Sequence, residues 1–129
     1  MPRELPPELE SRIEGARLVA HLATCRDDRP HSAPVWYRYE DGTFEVMTTG
    51  TKLANLRANP RAALSFQEGA DGHPEWMATV LGSATVVEDT AASRAANRRI
   101  NRKYGADPDD WSENVLVRID PGSVTYRTY

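Results

Sequence analysis

The chain has 129 residues, 40% of them apolar and 27% charged, with a net charge of -3 and a single cysteine. This is the length of one domain, 1–129, able to bury about two thirds of its unfolded surface without staples. The mean hydropathy of -0.61, the lack of any run near the ~20 apolar residues of a membrane span and a first decapeptide without an apolar leader make a cytoplasmic protein the expectation, Cys25 excludes an internal disulfide framework, and the acidic balance weighs against a dedicated nucleic-acid binder.

Residues 1–16 read as an N-terminal helical segment, with the helix itself over 5–16. Pro6 and Pro7 suit a first turn, and Leu9 and Ile13 lie four apart on one face. Residues 17–25 follow as a buried strand with small side chains, and Arg26-Asp27-Asp28-Arg29-Pro30 is a turn cluster. A second strand is expected over 31–40. Ala33, Val35, Tyr37 and Tyr39 share one face; Ser32, Pro34, Trp36 and Arg38 share the other. Pro34 cannot donate to a ladder, so this strand belongs at an edge or a bulge. Asp41-Gly42 is a hairpin dipeptide, and the third strand, Thr43 to Thr48, alternates Phe44 and Val46 against Glu45 and Met47.

After Thr48-Thr49-Gly50-Thr51-Lys52 comes a short helix with Leu53 and Leu56 as its apolar contacts, ended by Asn59-Pro60. Residues 61–67 form the fourth strand and 68–75 a loop rich in Gly, Asp and Pro. Residues 76–88 form a long fifth strand whose central Gly82 predicts a bend or bulge. A helix over 90–104 has Ala92, Ala96, Ile100 and Tyr104 as its seam, and Gly105 stops it. A polar loop carrying Trp111 leads to the last strand, Val115 to Ile119, which resumes at Val124 to Tyr126 after Asp120-Pro121-Gly122. Six strands and three short helices joined by hairpins predict a mainly β fold, a small antiparallel barrel with helices packed on its ends.

The most informative stretch is Thr48-Thr49-Gly50-Thr51-Lys52. It gathers three hydroxyls, a flexible glycine and a cation where a strand hands over to a helix. Helix N-termini carry a partial positive charge and usually attract acids. Here the first turn, Lys52 to Asn55, has none. An external anion would satisfy the backbone N–H groups, the threonine hydroxyls and the Lys52 ammonium together. The alternative is an ordinary threonine-capped helix with a solvated lysine. Trp36, on an irregular strand, either walls a planar ligand or packs as a core or interface residue.

These residues resemble a known superfamily. The run Thr48-Thr49-Gly50-Thr51-Lys52, Asn55-Leu56 and Asn59-Pro60-Arg61-Ala62-Ala63-Leu64-Ser65-Phe66 is similar to the signature of the pyridoxamine 5'-phosphate oxidase-like split β-barrels. Arg29 to Trp36 resembles their flavin-lining strand. The likeness spans roughly residues 15–127. It implies a six-stranded antiparallel split β-barrel of Greek-key type that binds FMN, or alternatively the deazaflavin F420. It also implies a homodimer with cofactor sites at the subunit interface and a small-molecule substrate. By resemblance, Thr48, Thr49, Thr51 and Lys52 would hold the phosphate with help from Asn55. Ser32, Pro34, Val35 and Trp36 would line the flavin ring, and Met77 or Ala78 would contact the ring or ribityl chain.

The chain departs from the pyridoxamine 5'-phosphate oxidases themselves. Ala33 stands near the position of an expected arginine, Arg38 near that of a lysine, and no C-terminal Arg/His substrate segment follows Val124-Thr125-Tyr126. Vitamin B6 oxidation is therefore not expected; an FMN- or F420-dependent oxidoreductase is. No acid–base catalyst stands out. Tyr37, Arg38, His73 and Trp111 are candidates for a substrate mouth. Arg94, Arg98, Arg99, Arg102 and Lys103 are candidates for a groove taking the acidic tail of F420, or simply a solvated helix face. A haem-binding barrel would need an axial ligand from His21, His31 or His73, of which His21 reads as a core residue. A non-catalytic flavin carrier would show the same pocket. No zinc spacing or nucleotide-binding fingerprint is present.

Overall fold

The structure, a computed structural model, describes residues 4–129; residues 1–3 of the N-terminal segment lie outside the described residues. Helix α1 covers Pro7–Ile13, shorter than the expected 5–16. Its proline start gives up no hydrogen bond, and Glu8 and Glu10 complement the helix dipole in the first turn. Leu9 and Ile13 are both fully buried. Gly15, with φ +76, turns the chain away.

The strands are β1 (Ala20–Arg26), β2 (Arg29–Val35), β3 (Tyr37–Glu40), β4 (Thr43–Thr48), β5 (Arg61–Ala70), β6 (His73–Val87) and β7 (Val115–Thr128), with helices α2 (Gly50–Ala58) and α3 (Thr90–Lys103) between them. All seven strands belong to one antiparallel sheet in the order β2-β1-β5-β6-β7-β4-β3. The expected strand over 31–40 is two strands, which makes the count seven instead of six. The break falls at Trp36, between Val35 and Tyr37. β2 pairs with β1 and β3 pairs with β4, so these consecutive strands are the two ends of the sheet. One residue joins them, and one residue spans only about 7 Å between its neighbours. The sheet must therefore curl until its edges meet. It closes as a barrel through Trp36 and not through a hydrogen-bonded ladder.

Three two-residue turns carry the hairpins. Asp27-Asp28, Asp41-Gly42 and Asp71-Gly72 all have positive φ at both positions, as the right-handed twist of a hairpin favours. The last of these replaces the expected 68–75 loop: β5 and β6 run on into a tight turn. Within β6 the register shifts between Leu81 and Gly82, and Gly82 pairs with Pro121. A Cβ on Gly82 would lie 2.5 Å from the Asp120 carbonyl oxygen, so the bulge requires glycine. β7 accordingly passes through Asp120-Pro121-Gly122 unbroken.

The larger core cluster contains Leu22, Tyr37, Phe44, Leu64, Phe66, Trp76, Val80 and Ile119, with α1 packed into it. The Tyr37 hydroxyl donates to the Ile13 carbonyl at 2.7 Å and Tyr39 donates to Glu10 at 3.0 Å, which fixes α1 to β3. A smaller cluster of Met47, Ala96, Ile100 and Leu116 seats α3 on β4 and β7, with Trp36 and Tyr104 against it. β4 is therefore covered on both faces, and Phe44 through Thr48 are all buried. Even Glu45 is buried, held by Arg38 at 3.1 Å, Arg99 at 3.3 Å and Arg118 at 3.7 Å.

Candidate functional site

A cleft of about 420 Å³ opens beside the barrel seam. β2 lends it Pro34 and Val35, the seam lends Trp36, the start of α2 lends Thr49 and Lys52, and α3 with its following loop closes the far end. On the opposite flank of α2 a second hollow, of about 360 Å³, is lined by Thr51, Asn55, Arg26, Asp27, Arg29 and His31, with Arg26 paired to Asp27 at 3.7 Å. β2 passes from one hollow to the other, with Pro30 and His31 in the second and Pro34 and Val35 in the first.

The entrance to α2 explains why the cleft suits an anion. Thr49 is the N-cap residue in an extended conformation, yet its side chain makes no capping hydrogen bond, and the first turn holds no acid. Gly50 enters the helix at φ +63, a conformation that costs glycine nothing. Lys52, half-buried, enters none of the ion pairs among the described residues. In the second hollow the buried Nδ1 of His31 has no hydrogen-bond partner, beside Arg26 and Arg29. A helix start without a cap, an uncommitted hydroxyl and a cation without a carboxylate together leave positive potential for a ligand to neutralise.

Other expected site residues are placed differently. Thr48 is fully buried, and its hydroxyl donates to the Val115 carbonyl at 3.0 Å. It ties β4 to β7 and does not line the cleft. Asn55 is buried and donates to Thr24 Oγ1 at 3.0 Å, pinning α2 to β1. Ser32 is exposed on β2 and lines neither hollow. Met77 is 39% exposed on β6, paired with Gln67 and Arg127, away from the cleft. Of the candidate mouth residues, Tyr37 is buried core and Arg38 is engaged by Glu40 and Glu45. His73 lies by the Asp71-Gly72 turn, and only Trp111 lines the cleft. His21 is exposed on β1, contrary to the expected core position.

The seam itself is built from aromatic rings. Trp36 stacks on Tyr104 with centroids 4.6 Å apart and planes 2° from parallel, and Trp111 meets it edge-on at 5.6 Å. One face of Trp36 is thus already covered, which fixes it as a wall of the cleft. The Tyr104 hydroxyl donates to the Leu18 carbonyl at 2.6 Å and accepts from the Tyr37 N–H at 3.4 Å. Lys103 Nζ donates to the Tyr37 carbonyl at 2.8 Å and lies 3.8 Å from the centroid of the Tyr37 ring. The end of α3 therefore supplies the partners that a missing ladder leaves to β3. Burial, with Arg38 nearby, lowers the Lys103 ammonium to about 8; burial raises the Tyr104 phenol to about 12.

The buried face of α3 was only half legible. Ala96 and Ile100 are buried as expected, but Ser93, Asn97 and Asn101 complete the face, with Ala92 only half-buried. Apolar periodicity has no means of marking these residues. Ser93 accepts from the Leu116 N–H at 2.9 Å, and the two asparagines hold the loop after α3. Two of the four arginines of the helix are engaged at home, Arg98 by Asp109 and Arg99 by Glu45, whereas Arg94 and Arg102 enter none of the ion pairs among the described residues.

A family model described as pyridoxamine 5'-phosphate oxidase matches residues 7–128. Among solved structures, the chain is similar to an F420 reductase at 26% identity, covering 94% of this chain and 98% of that one, with a TM-score of 0.78. It shares its fold with an FAD-binding protein from Mesorhizobium loti, at 23% identity over 98% and 97% of the two chains and a TM-score of 0.76. It likewise shares it with the haem storage protein of Vibrio cholerae, at 19% identity over 98% and 95% and a TM-score of 0.76. An uncharacterised protein of Rhizobium meliloti (strain 1021) is 31% identical over 64 residues, 49% of this chain and 42% of that relative, so less than half of the relative is spanned. No helix among the described residues is long and apolar enough to cross a membrane.

Proposed function

The chain belongs to the pyridoxamine 5'-phosphate oxidase family, and from that premise we propose that it binds a phosphorylated flavin, FMN first and F420 as the alternative, and serves as an oxidoreductase toward a small molecule. One observation carries the reading: Lys52 and the uncommitted Thr49 hydroxyl line the cleft at an acid-free helix start. That donor set fits a phosphate dianion, which would accept from Thr49, the α2 amides and Lys52, while Thr51 lines the hollow on the other flank of the helix start. Thr48 and Asn55, both engaged in the fold, then act by shaping the cradle. Pro34, Val35 and Trp36 would border the ring, with Ser32 on the strand's exposed side.

The flavin, when bound, supplies the hydride chemistry. The chain's own work is to anchor the phosphate, hold the ring against β2 and the Trp36 wall, and keep water out. F420 is kept because a reductase of that cofactor has a similar structure. FMN stands ahead of it because Arg98, Arg99 and Lys103, expected to meet an acidic tail, have partners within the chain. A haem site is disfavoured because none of His21, His31 and His73 lines the cleft.

The reading includes a homodimer. The outward face of β1, β5, β6 and β7 carries the rows Ala23-Ala63-Leu81-Ser123 and His21-Ser65-Thr79-Thr125, with no acid and no Lys or Arg in either. Leu81 is 52% exposed there. A flat, small-residue face on central strands suits a second copy. Met77 lies on the adjoining row of that face, so its flavin contact would be made to the partner's site. Titration of the purified protein with FMN and with F420, followed by absorbance and flavin fluorescence, tests the assignment. Binding of either at micromolar concentration is expected, and binding of neither would contradict it.

A further inference from the structure

The two ends of the cleft differ in chemistry. The α2 end holds the cation and the hydroxyl. The α3 end is lined by Ile100, Asn97, Asn101, Trp111 and Asn114, none of them charged, and among the described residues Lys52 is the cleft's one ionisable lining residue. Once a phosphate neutralises Lys52, a charged ligand in the remainder would find no counter-charge, and desolvating it there is costly.

Trp111 stands at this end in an unusual state. Its backbone has φ +54, a left-handed conformation that bulky residues avoid, and its side chain is 51% exposed. The conformation is imposed from below. Asn97 and Asn101, one turn apart on α3 and 3% and 2% exposed, both donate through Nδ2 to the Asp110 carbonyl, at 2.8 and 3.0 Å. Asn101 also donates to the Pro108 carbonyl at 3.1 Å. The Asn114 N–H donates to the Trp111 carbonyl at 3.0 Å. Two buried carboxamides thus fix the residue before Trp111, and the indole they present meets Trp36 edge-on at 5.6 Å, with about half of its surface open. Packing of the fold does not require a half-exposed tryptophan in a strained backbone. Presenting a flat apolar wall to a ligand does.

We infer that Trp111 is a specificity-determining residue, and that the α3 end of the cleft takes an uncharged, planar ring compound as substrate. This rests on the flavin reading above, because bound phosphate is what leaves that end without charge. Asn97 and Asn101 are positioning residues acting through the loop.

The test uses 1,4-naphthoquinone and its anionic 2-sulfonate as probes, titrated by calorimetry into the FMN-loaded protein and into Trp111→Gly and Trp111→Phe variants. The loaded wild type should bind the neutral quinone about tenfold more tightly than the sulfonate. Trp111→Gly should weaken the neutral quinone about tenfold and leave FMN affinity within about twofold. Trp111→Phe should retain most of the affinity. Because glycine adopts a positive φ freely, Trp111→Gly should melt within a few degrees of wild type, whereas a merely structural tryptophan would lower the melting temperature. Equal binding of the two probes, unchanged quinone affinity in Trp111→Gly, or no quinone binding at all would each overturn the inference. Failure of the flavin reading shows separately, as wild type that takes up neither FMN nor F420. In that event the tenfold loss in Trp111→Gly is required of the unloaded protein.

Discussion

The Thr48 hydroxyl donates to the Val115 carbonyl at 3.0 Å, tying β4 to β7 at the point where the chain leaves the sheet for α2. Its neighbour Thr49 faces the cleft and spends its hydroxyl on nothing in the helix that it precedes. Two adjacent threonines are thereby divided between the fold and the cleft. Thr48→Val should cost about 1–2 kcal/mol in a urea melt, because a buried carbonyl loses its donor, and leave FMN affinity unchanged. Thr49→Val should leave the melt unchanged and weaken FMN about tenfold, the value of one hydrogen bond to a charged acceptor.

The bulge at Gly82 makes a second prediction. Gly82→Ala puts a methyl group 2.5 Å from the Asp120 carbonyl oxygen and 3.0 Å from Ile119 Cγ2. It should destabilise by about 1–3 kcal/mol. Gly122→Ala, whose Cβ meets Leu81 O at 3.4 Å, should cost under about 0.5 kcal/mol. Denaturant midpoints of the two variants give the comparison.

Lys103 and the buried phenols set the alkaline behaviour. The Lys103 amine falls from 10.5 to about 8 on folding. Between those values the unfolded chain holds more protons, so stability should rise with pH across that window. Burial raises Tyr37, Tyr39 and Tyr104 above 10.0. Above pH 10 the folded chain therefore holds more protons, and stability should fall. Urea midpoints measured at several pH values from about 7.5 to 11 should pass through a maximum, and Lys103→Met should remove the rising limb.

Much of the fold was legible because its turns use dipeptides with a mechanism. Asp41-Gly42 marked a hairpin, Pro34 marked an edge strand, and Gly82 marked the bulge, each through a backbone requirement. Asp71-Gly72 carries the same signal, masked by the loop-like composition around it. The division of 31–40 at Trp36 was not legible, since the alternation of apolar side chains continues through it. The break follows from closing the barrel, a long-range event. The buried asparagines of α3 were hidden for a related reason: their partners are carbonyls of a later loop. The acid-free helix start that brings Thr49 and Lys52 to the cleft was legible from composition. The separate duties of Thr48 and Asn55 depend on Val115 and Thr24, far away in the chain.

The outward face of the sheet gives a prediction for the dimer. Leu81 is half in water and packs little within one chain. Leu81→Lys should change monomer stability by under about 0.5 kcal/mol while shifting the elution of the protein in size-exclusion chromatography from dimer to monomer. A wild type that elutes as a monomer at high concentration would contradict the proposed face.

The most direct measurement is the affinity of FMN and F420 for wild type and for Lys52→Ala. The account predicts micromolar or tighter binding of at least one cofactor by wild type. It predicts a loss of about 1.5–3 kcal/mol in the variant, roughly 10- to 100-fold, as an ammonium leaves a phosphate. Equal affinities in the two proteins would contradict the anion site at the start of α2, and with it the placement of the flavin.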